Sequence, residues 1–156
     1  MRRFKRIPVH VNVESDQQPA LDRAVELATH NHAELTLVAL VEPLPWHLRD
    51  GIPRAVEAER LDDCQSRLEE LAIPIRAQGL TVRTKVLQEN GDVELIREVL
   101  RERHDLVMKM ADAKVSRRDM FHSTLDQRLL RKCPCPVWLI RSTASSRFER
   151  ILVAVD

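Results

Sequence analysis

Two pairs of side chains have types and spacings that could bind a metal or exchange electrons. Cys133 and Cys135 are separated by one residue, and so are His30 and His32. A zinc site needs wider spacings and more ligands, and a redox pair prefers two intervening residues, so we expect the thiols to pack where a strand begins. The two histidines fall at a predicted helix end, where a positive or hydrogen-bonding group suits the helix dipole. The sequence therefore predicts no metal site.

The other candidate groups lie in and after a polar, charged stretch. Ser123 and Thr124 precede a predicted helix, and hydroxyl groups at a helix N-terminus can hold an anion. The alternative is that they cap this helix and that the preceding residues form a solvated loop. Asp112, Asp119 and His122 could support hydrolysis, but the sequence contains no Gly-x-Ser-x-Gly, His-Glu-x-x-His or Walker motif. We therefore predict that the protein is not an enzyme.

Alternating strand and helix patterns must position these groups. The run at 34–41 is almost continuously apolar, as is typical of a buried parallel strand. A repeated strand–helix order predicts an α/β fold with a parallel sheet and helices on both faces. If the first strand is central, the ligand crevice lies at the ends of strands 1 and 4, which are residues 12–15 and 110–124. Strands are predicted at 4–13, 34–41, 80–88, 105–110 and 137–141. Helices are predicted at 16–30, from the end of a Pro-rich loop at 43–53 to near Gly79, from a cap at Asp92 through Leu100, and at 124–132.

Composition excludes several classes of protein. A net charge of +1 and an aromatic content of 3% argue against a dedicated nucleic-acid binder. No apolar run approaches the ~20 residues that span a bilayer, so we expect no membrane partner. Three cysteines, an odd number, do not make a disulfide framework, and a reducing compartment suits them best. Together with the lack of a secretory signal pattern, this predicts a cytoplasmic protein.

The end of the chain repeats its beginning. Residues 147–155 match residues 3–11 at six of nine positions. One interpretation is two unrelated strands of ordinary β composition. We favour the other, in which 1–142 is a complete domain, 143–146 is a linker, and 147–156 is the first strand of a truncated second copy.

Several segments resemble the universal stress protein family, and the resemblance spans residues 4–141. Its most specific parts are Asp105-Leu-Val and Leu130-Arg131 followed by Cys133-Pro-Cys-Pro-Val. The sequence at 104–111, and the repeat of the opening segment that begins at Arg147, most resemble the first half of the tandem members of that family. The resemblance implies a five-stranded parallel sheet of order 3-2-1-4-5 and a stress-response protein, usually dimeric, without established catalysis.

The resemblance also implies where a nucleotide would bind. In ATP-binding members the glycines of the phosphate loop fall on Met110, Ala113 and Ser123, and the hydroxyl position falls on Thr124. At the end of strand 1 the matching positions are Val11 and Asn12, and Asn12 replaces an Asp that meets the adenosine. Of the loop positions only Thr124 conforms, so we predict a degenerate nucleotide site and no cofactor. An ATP-binding member is the first alternative, and an enzyme of the nucleotide-binding α/β group is the second.

The last strand is the candidate interaction surface. Val137, Trp138, Leu139 and Ile140 form an apolar strand that would lie at an edge of the sheet. An unprotected apolar edge invites pairing with another strand. In the family that the sequence resembles, fifth strands pair across a dimer. We therefore expect a homodimer, or docking with a second universal stress protein domain, through strand 5.

Overall fold

A computed structural model describes residues 4–15, 18–42, 54–88, 91–111 and 125–141. Its five strands alternate with helices along the chain. The predicted linker at 143–146 and the repeated strand at 147–156 lie outside the described residues. The elements are β1 (Arg6–His10), α1 (Pro19–Asn31), β2 (Glu34–Val41), α2 (Arg54–Ala77), β3 (Val82–Gln88), α3 (Gly91–Glu102), β4 (Val107–Met110), α4 (Leu125–Lys132) and β5 (Val137–Ile140).

The strands form one parallel sheet of order β3-β2-β1-β4-β5, which confirms the expected strand order. β1 is central, because Val9 is in register with Leu37 of β2 on one side and with Met108 of β4 on the other. The Asp105 carboxylate accepts hydrogen bonds from the backbone N–H groups of Lys5, just before β1, and of Arg6, at 2.8 and 3.1 Å. Strand order reverses between β1 and β4, so the crevice of this fold lies beyond their carboxyl ends.

One face of the sheet packs against α1 and α2. Its strand residues alternate with those of the other face, and Ile7, Val9 and Leu37 are fully buried there. Small residues on α1, such as Ala24 and Ala28, let that helix approach the sheet closely. We call this the α1/α2 face, and it contains the larger of the two apolar clusters.

The opposite face, which we call the α3/α4 face, packs against the other two helices. Its apolar cluster is smaller and consists of Val38, Leu87, Leu95, Val99, Val107 and Leu129. Thr36 alternates with Leu35 and Leu37, which belong to the α1/α2 face, so its side chain points to the α3/α4 face. Lys109 alternates with Met108 of β4, so its side chain points to the α3/α4 face as well. Glu98 of α3 is buried and forms an ion pair with Lys85 of β3. Among the described residues, the buried polar side chains of strands and helices all belong to this face.

The end of β1 differs from the sequence prediction because a side chain bonds to the backbone there. β1 ends at His10 rather than at 13, because Asn12 starts a turn. In that turn the Asn12 side-chain oxygen accepts a hydrogen bond from the Glu14 N–H at 3.1 Å, and its carbonyl oxygen accepts one from Ser15. At the other end of the domain, α2 ends just before Gly79, as predicted, and this glycine has a φ of 86° that favours its residue type.

Candidate functional site

The β1 side of the crevice is formed by a core residue and an exposed turn residue. Val11 is buried in the cluster of the α1/α2 face, and its N–H donates to the Val38 carbonyl at 2.8 Å. Asn12 is exposed, and its side-chain oxygen is engaged in the turn described above. Gln18, which directly precedes α1, donates to the carbonyl oxygens of Asn12 and Ser15, and so fixes the turn against the helix.

The β4 side of the crevice begins at Met110, the last residue of the strand. Its side chain is half-buried and packs against the cluster of the α1/α2 face. The next residue, Ala111, donates its N–H to the Ile140 carbonyl at 2.8 Å and so extends the pairing with β5. The other predicted positions of the phosphate loop, Ala113, Ser123 and Thr124, lie outside the described residues.

A buried ion pair stands beside Met110. Lys109 is only 2% exposed, and its Nζ lies 2.6 Å from Oδ1 of Asp126, whose side chain is 13% exposed. The same Nζ donates to the Met110 carbonyl oxygen at 2.8 Å. Asp126 belongs to the first turn of α4, where a carboxylate interacts favourably with the helix dipole. The pair therefore ties the carboxyl end of β4 to the N-terminus of α4.

Sequence reasoning did not single out Lys109 or Asp126 as site residues. The sequence feature that could have identified Lys109 is its position as the one charged residue of the strand Val-Met-Lys-Met. A lysine enters such a strand at little cost only when a carboxylate meets it, and the next helix supplies an aspartate in its first turn.

The two thiols meet at the turn between α4 and β5. Cys133 and Cys135 are half-buried and pack against the cluster of the α3/α4 face, in agreement with the predicted packing at the start of the strand. Their sulfur atoms are 3.6 Å apart, which the spacing did not predict. A hydrogen bond from Cys135 lowers the pKa of Cys133 to about 7, and the same contact raises the pKa of Cys135.

The two histidines lie at the C-terminal end of α1. The His30 ring nitrogen Nδ1 donates to the Glu26 carbonyl oxygen at 2.7 Å, and His32 adopts a left-handed conformation that closes the helix. Within the described ranges no group of three or more His, Cys, Asp or Glu side chains could hold a metal ion. None of the described helices is long and apolar enough to cross a membrane.

The candidate interaction strand lies at an edge of the sheet. β5 pairs with β4 on one side, with Val107 opposite Val137 and Met110 opposite Ile140. Ile140 is buried, and Trp138 packs against the cluster of the α1/α2 face. Val137 and Leu139 are half-buried and alternate with these two residues, so they point to the α3/α4 face.

Comparison with known proteins identifies the class to which this fold and crevice belong. The model of the universal stress protein family matches residues 3–141, and the chain belongs to that family. It is 28% identical over 161 residues to universal stress protein E of Photorhabdus laumondii subsp. laumondii, a match that covers 100% of this chain and 51% of that relative. The chain thus spans about half the length of the curated relatives it matches.

Solved structures show the same fold. A protein of the universal stress protein family from Burkholderia pseudomallei superposes with a TM-score of 0.68 at 23% identity, over 88% of this chain and 96% of that one. The universal stress protein from Archaeoglobus fulgidus in complex with dAMP gives a TM-score of 0.63 at 15% identity, over 89% and 99% of the two chains. At these identities the likeness concerns the fold alone.

Proposed function

We propose that this domain is a non-enzymatic regulatory or assembly module of the stress response, acts in the cytoplasm, and has a degenerate nucleotide site. The observation that carries the proposal is the buried ion pair between Lys109 and Asp126 at the crevice. In folds of this kind, phosphate binding uses the backbone after a strand and the positive end of the next helix.

Both of these features are altered here. Where a glycine would let phosphate oxygens approach the backbone, Met110 supplies a side chain. At the start of α4, the Asp126 carboxylate already uses the positive end of the helix dipole and would repel a phosphate. The Lys109 ammonium, the nearest buried cation, is neutralised by the same carboxylate. We infer that the ion pair stabilises the crevice in place of a nucleotide.

A thermal-shift measurement tests this proposal. A ligand present at about 100 times its dissociation constant stabilises a protein by ~2.7 kcal/mol, which raises Tm by several degrees. We expect no rise in Tm for this chain in millimolar ATP with Mg²⁺. A nucleotide-binding member of the family, treated in parallel, should show the rise. An equal rise for this chain would contradict the proposal.

An ATP-binding domain is the second candidate, because the fold is shared with a protein described in complex with dAMP. Binding would then depend on backbone contacts that tolerate Asn12 and Met110. Saturable stabilisation by ATP but not by inorganic phosphate would favour this candidate, since it would require recognition of the nucleoside.

The proposed assembly occurs through β5. The strand lies at a sheet edge, and the relatives are about twice as long as this chain, which leaves room for a second domain of the same family. We propose a homodimer, or docking with such a domain, by pairing along β5. A lysine is a common protective residue on strand edges, so Leu139→Lys should convert a dimer to a monomer in light scattering. A matched change on an exposed helix position, Leu130→Lys, should not. Dimers that persist with Leu139→Lys would place the interface elsewhere.

A further inference from the structure

The thiol pair is held in place at both ends of a short turn. The Cys133 N–H makes the last bond of α4, to the Leu129 carbonyl oxygen at 2.9 Å. Three residues later, the Pro136 carbonyl oxygen accepts a bond from the Val107 N–H at 3.0 Å. Between these fixed points the chain bends at residues 134 and 135 and brings both sulfurs to the same side. The 3.6 Å between them is a contact distance, so the two sulfurs lie close enough to react with each other.

The surroundings make the two thiols unequal. The hydrogen bond from Cys135 stabilises a thiolate on Cys133, whose pKa falls to about 7. The pKa of Cys135 is raised, first by the proton it shares with Cys133, then by burial, and to a lesser degree by the nearby Asp105 carboxylate. A thiolate is the form that attacks disulfides, so Cys133 is the nucleophile of the pair and Cys135 is the group that resolves the adduct.

Both cysteines are half-buried residues rather than core residues, so we expect a small reagent to reach them. The third cysteine, Cys64, lies on α2 and is buried in the cluster of the α1/α2 face, on the other side of the sheet. Its pKa is raised by burial, which keeps it protonated and unreactive. Cys64 therefore serves as an internal reference thiol.

We propose that Cys133 and Cys135 form a reversible thiol–disulfide exchange site whose co-reactant is a low-molecular-weight disulfide. The Cys133 thiolate attacks one sulfur of the co-reactant, the S–S bond breaks, and one small thiolate leaves. Cys135 gives its proton to that thiolate and attacks Cys133 Sγ, which releases the second small thiolate. The protein loses two electrons and becomes a Cys133–Cys135 disulfide. The co-reactant gains them and becomes one thiol and one thiolate, and the thiolate takes a proton from water. A ring closed over a single residue is tight, so the disulfide should be readily reduced.

The test uses the full chain and oxidised glutathione as the probe. After incubation, free thiols are alkylated under denaturing conditions and the protein is weighed by mass spectrometry. The reduced chain should take three labels. The oxidised chain should take one, on Cys64, with a Cys133–Cys135 link in the peptide map, and a dithiol reductant should restore all three. Labelling of all three cysteines after oxidation, or a disulfide that includes Cys64, would overturn the proposal.

Three variants separate the roles of the thiols. Cys135→Ser should stop at a glutathione adduct on Cys133, because the resolving thiol is gone. Cys133→Ser should form an adduct more slowly than Cys135→Ser, since burial and the nearby Asp105 carboxylate still raise the pKa of the remaining thiol. Cys64→Ala is the matched control and should oxidise like the wild type. Equal adduct rates for the two serine variants would contradict the assignment of the nucleophile. Retention of a metal ion by the reduced pair in native mass spectrometry, together with resistance to glutathione, would make the pair a metal ligand and overturn the exchange site.

Discussion

The two faces of the sheet are built from different kinds of side chain. On the α1/α2 face, strands and helices meet through a large apolar cluster, and fit depends on the size of residues such as Leu68 and Ala72. On the α3/α4 face the cluster is smaller and shares its space with Thr36 and with the pair of Lys109 and Asp126. The buried part of the first face is therefore stabilised by apolar area, while the second face also buries charged side chains together with their partners.

This difference indicates where chemistry can reside in the domain. An apolar face tolerates many side chains of suitable volume, because its stabilisation is not directional. A buried charge is retained only with its partner, because an unpaired ion in the interior is strongly unfavourable. The ion pair and the thiol pair both lie on the α3/α4 side, the first at the start of α4 and the second just after its end. We infer that any specialised role of this domain depends on that side.

The largest expected effect follows from breaking the buried ion pair. Lys109→Met keeps most of the side-chain volume but leaves the Asp126 carboxylate without its main partner. We expect a loss of ~3–5 kcal/mol in the free energy of unfolding, measured by urea denaturation.

The double variant Lys109→Met/Asp126→Leu separates charge from packing. An apolar replacement of both partners should recover stability to within about 1 kcal/mol of the wild type, because no charge is then left buried alone. If the double variant is as unstable as the single one, the α3/α4 face depends on side-chain shape in the same way as the α1/α2 face. That result would contradict the proposed difference between the two faces.

The next effect concerns the α1/α2 face, where the free energy of unfolding should depend on apolar volume and not on charge. Leu68 is fully buried on α2, and Leu68→Ala should lower the free energy of unfolding by ~2–5 kcal/mol through lost burial and a cavity. Ile73 lies on the same helix and is 62% exposed, so Ile73→Ala should change stability by no more than about 0.5 kcal/mol. Similar losses for the two variants would show that α2 does not bury the face assigned to it.

A smaller effect concerns pH. His104, just after α3, is buried, and burial lowers the pKa of its imidazole below the ordinary 6.5, although Glu98 and Glu102 nearby oppose the shift. The unfolded chain therefore binds the proton first as pH falls below about 6.5, so this histidine's contribution to stability is complete above that pH and is lost below it. His104→Gln should reduce the loss of stability between about pH 7.5 and about pH 5.5 in urea titrations.

The matched control is His30→Gln, which changes an exposed histidine of α1. It reports the effect of a His-to-Gln change that removes no buried imidazole. A pH profile that is the same with and without His104 would show that this histidine does not contribute to the pH dependence of stability.

Hydrophobic spacing predicted the strands and helices, because the periods of two and 3.6 residues appear directly in the chain, whereas the strand order was implied by the family resemblance. The end of α2 was also predictable, since Gly79 adopts a backbone conformation that other residues rarely do. The end of β1 was not, because it depends on the hydrogen bonds that Asn12 makes in its own turn.

The polar contacts of the α3/α4 side could be predicted only in part. Lys109 and Asp126 are 17 residues apart, and nothing in their spacing shows that the end of β4 meets the start of α4. The closeness of Cys133 and Cys135 depends on the bend at Pro134, whereas the sequence indicated only that small side chains would pack there. The predicted positions at Ala113, Ser123 and Thr124 remain predictions.

Isothermal titration of the chain with ATP and Mg²⁺ tests the central claim most directly, because it measures binding whether or not stability changes. The claim is that an internal ion pair and Met110 replace the nucleotide in the crevice. We predict no saturable heat with this chain, and a normal binding isotherm with a nucleotide-binding family member under the same conditions. A dissociation constant in the micromolar range for this chain would contradict the account.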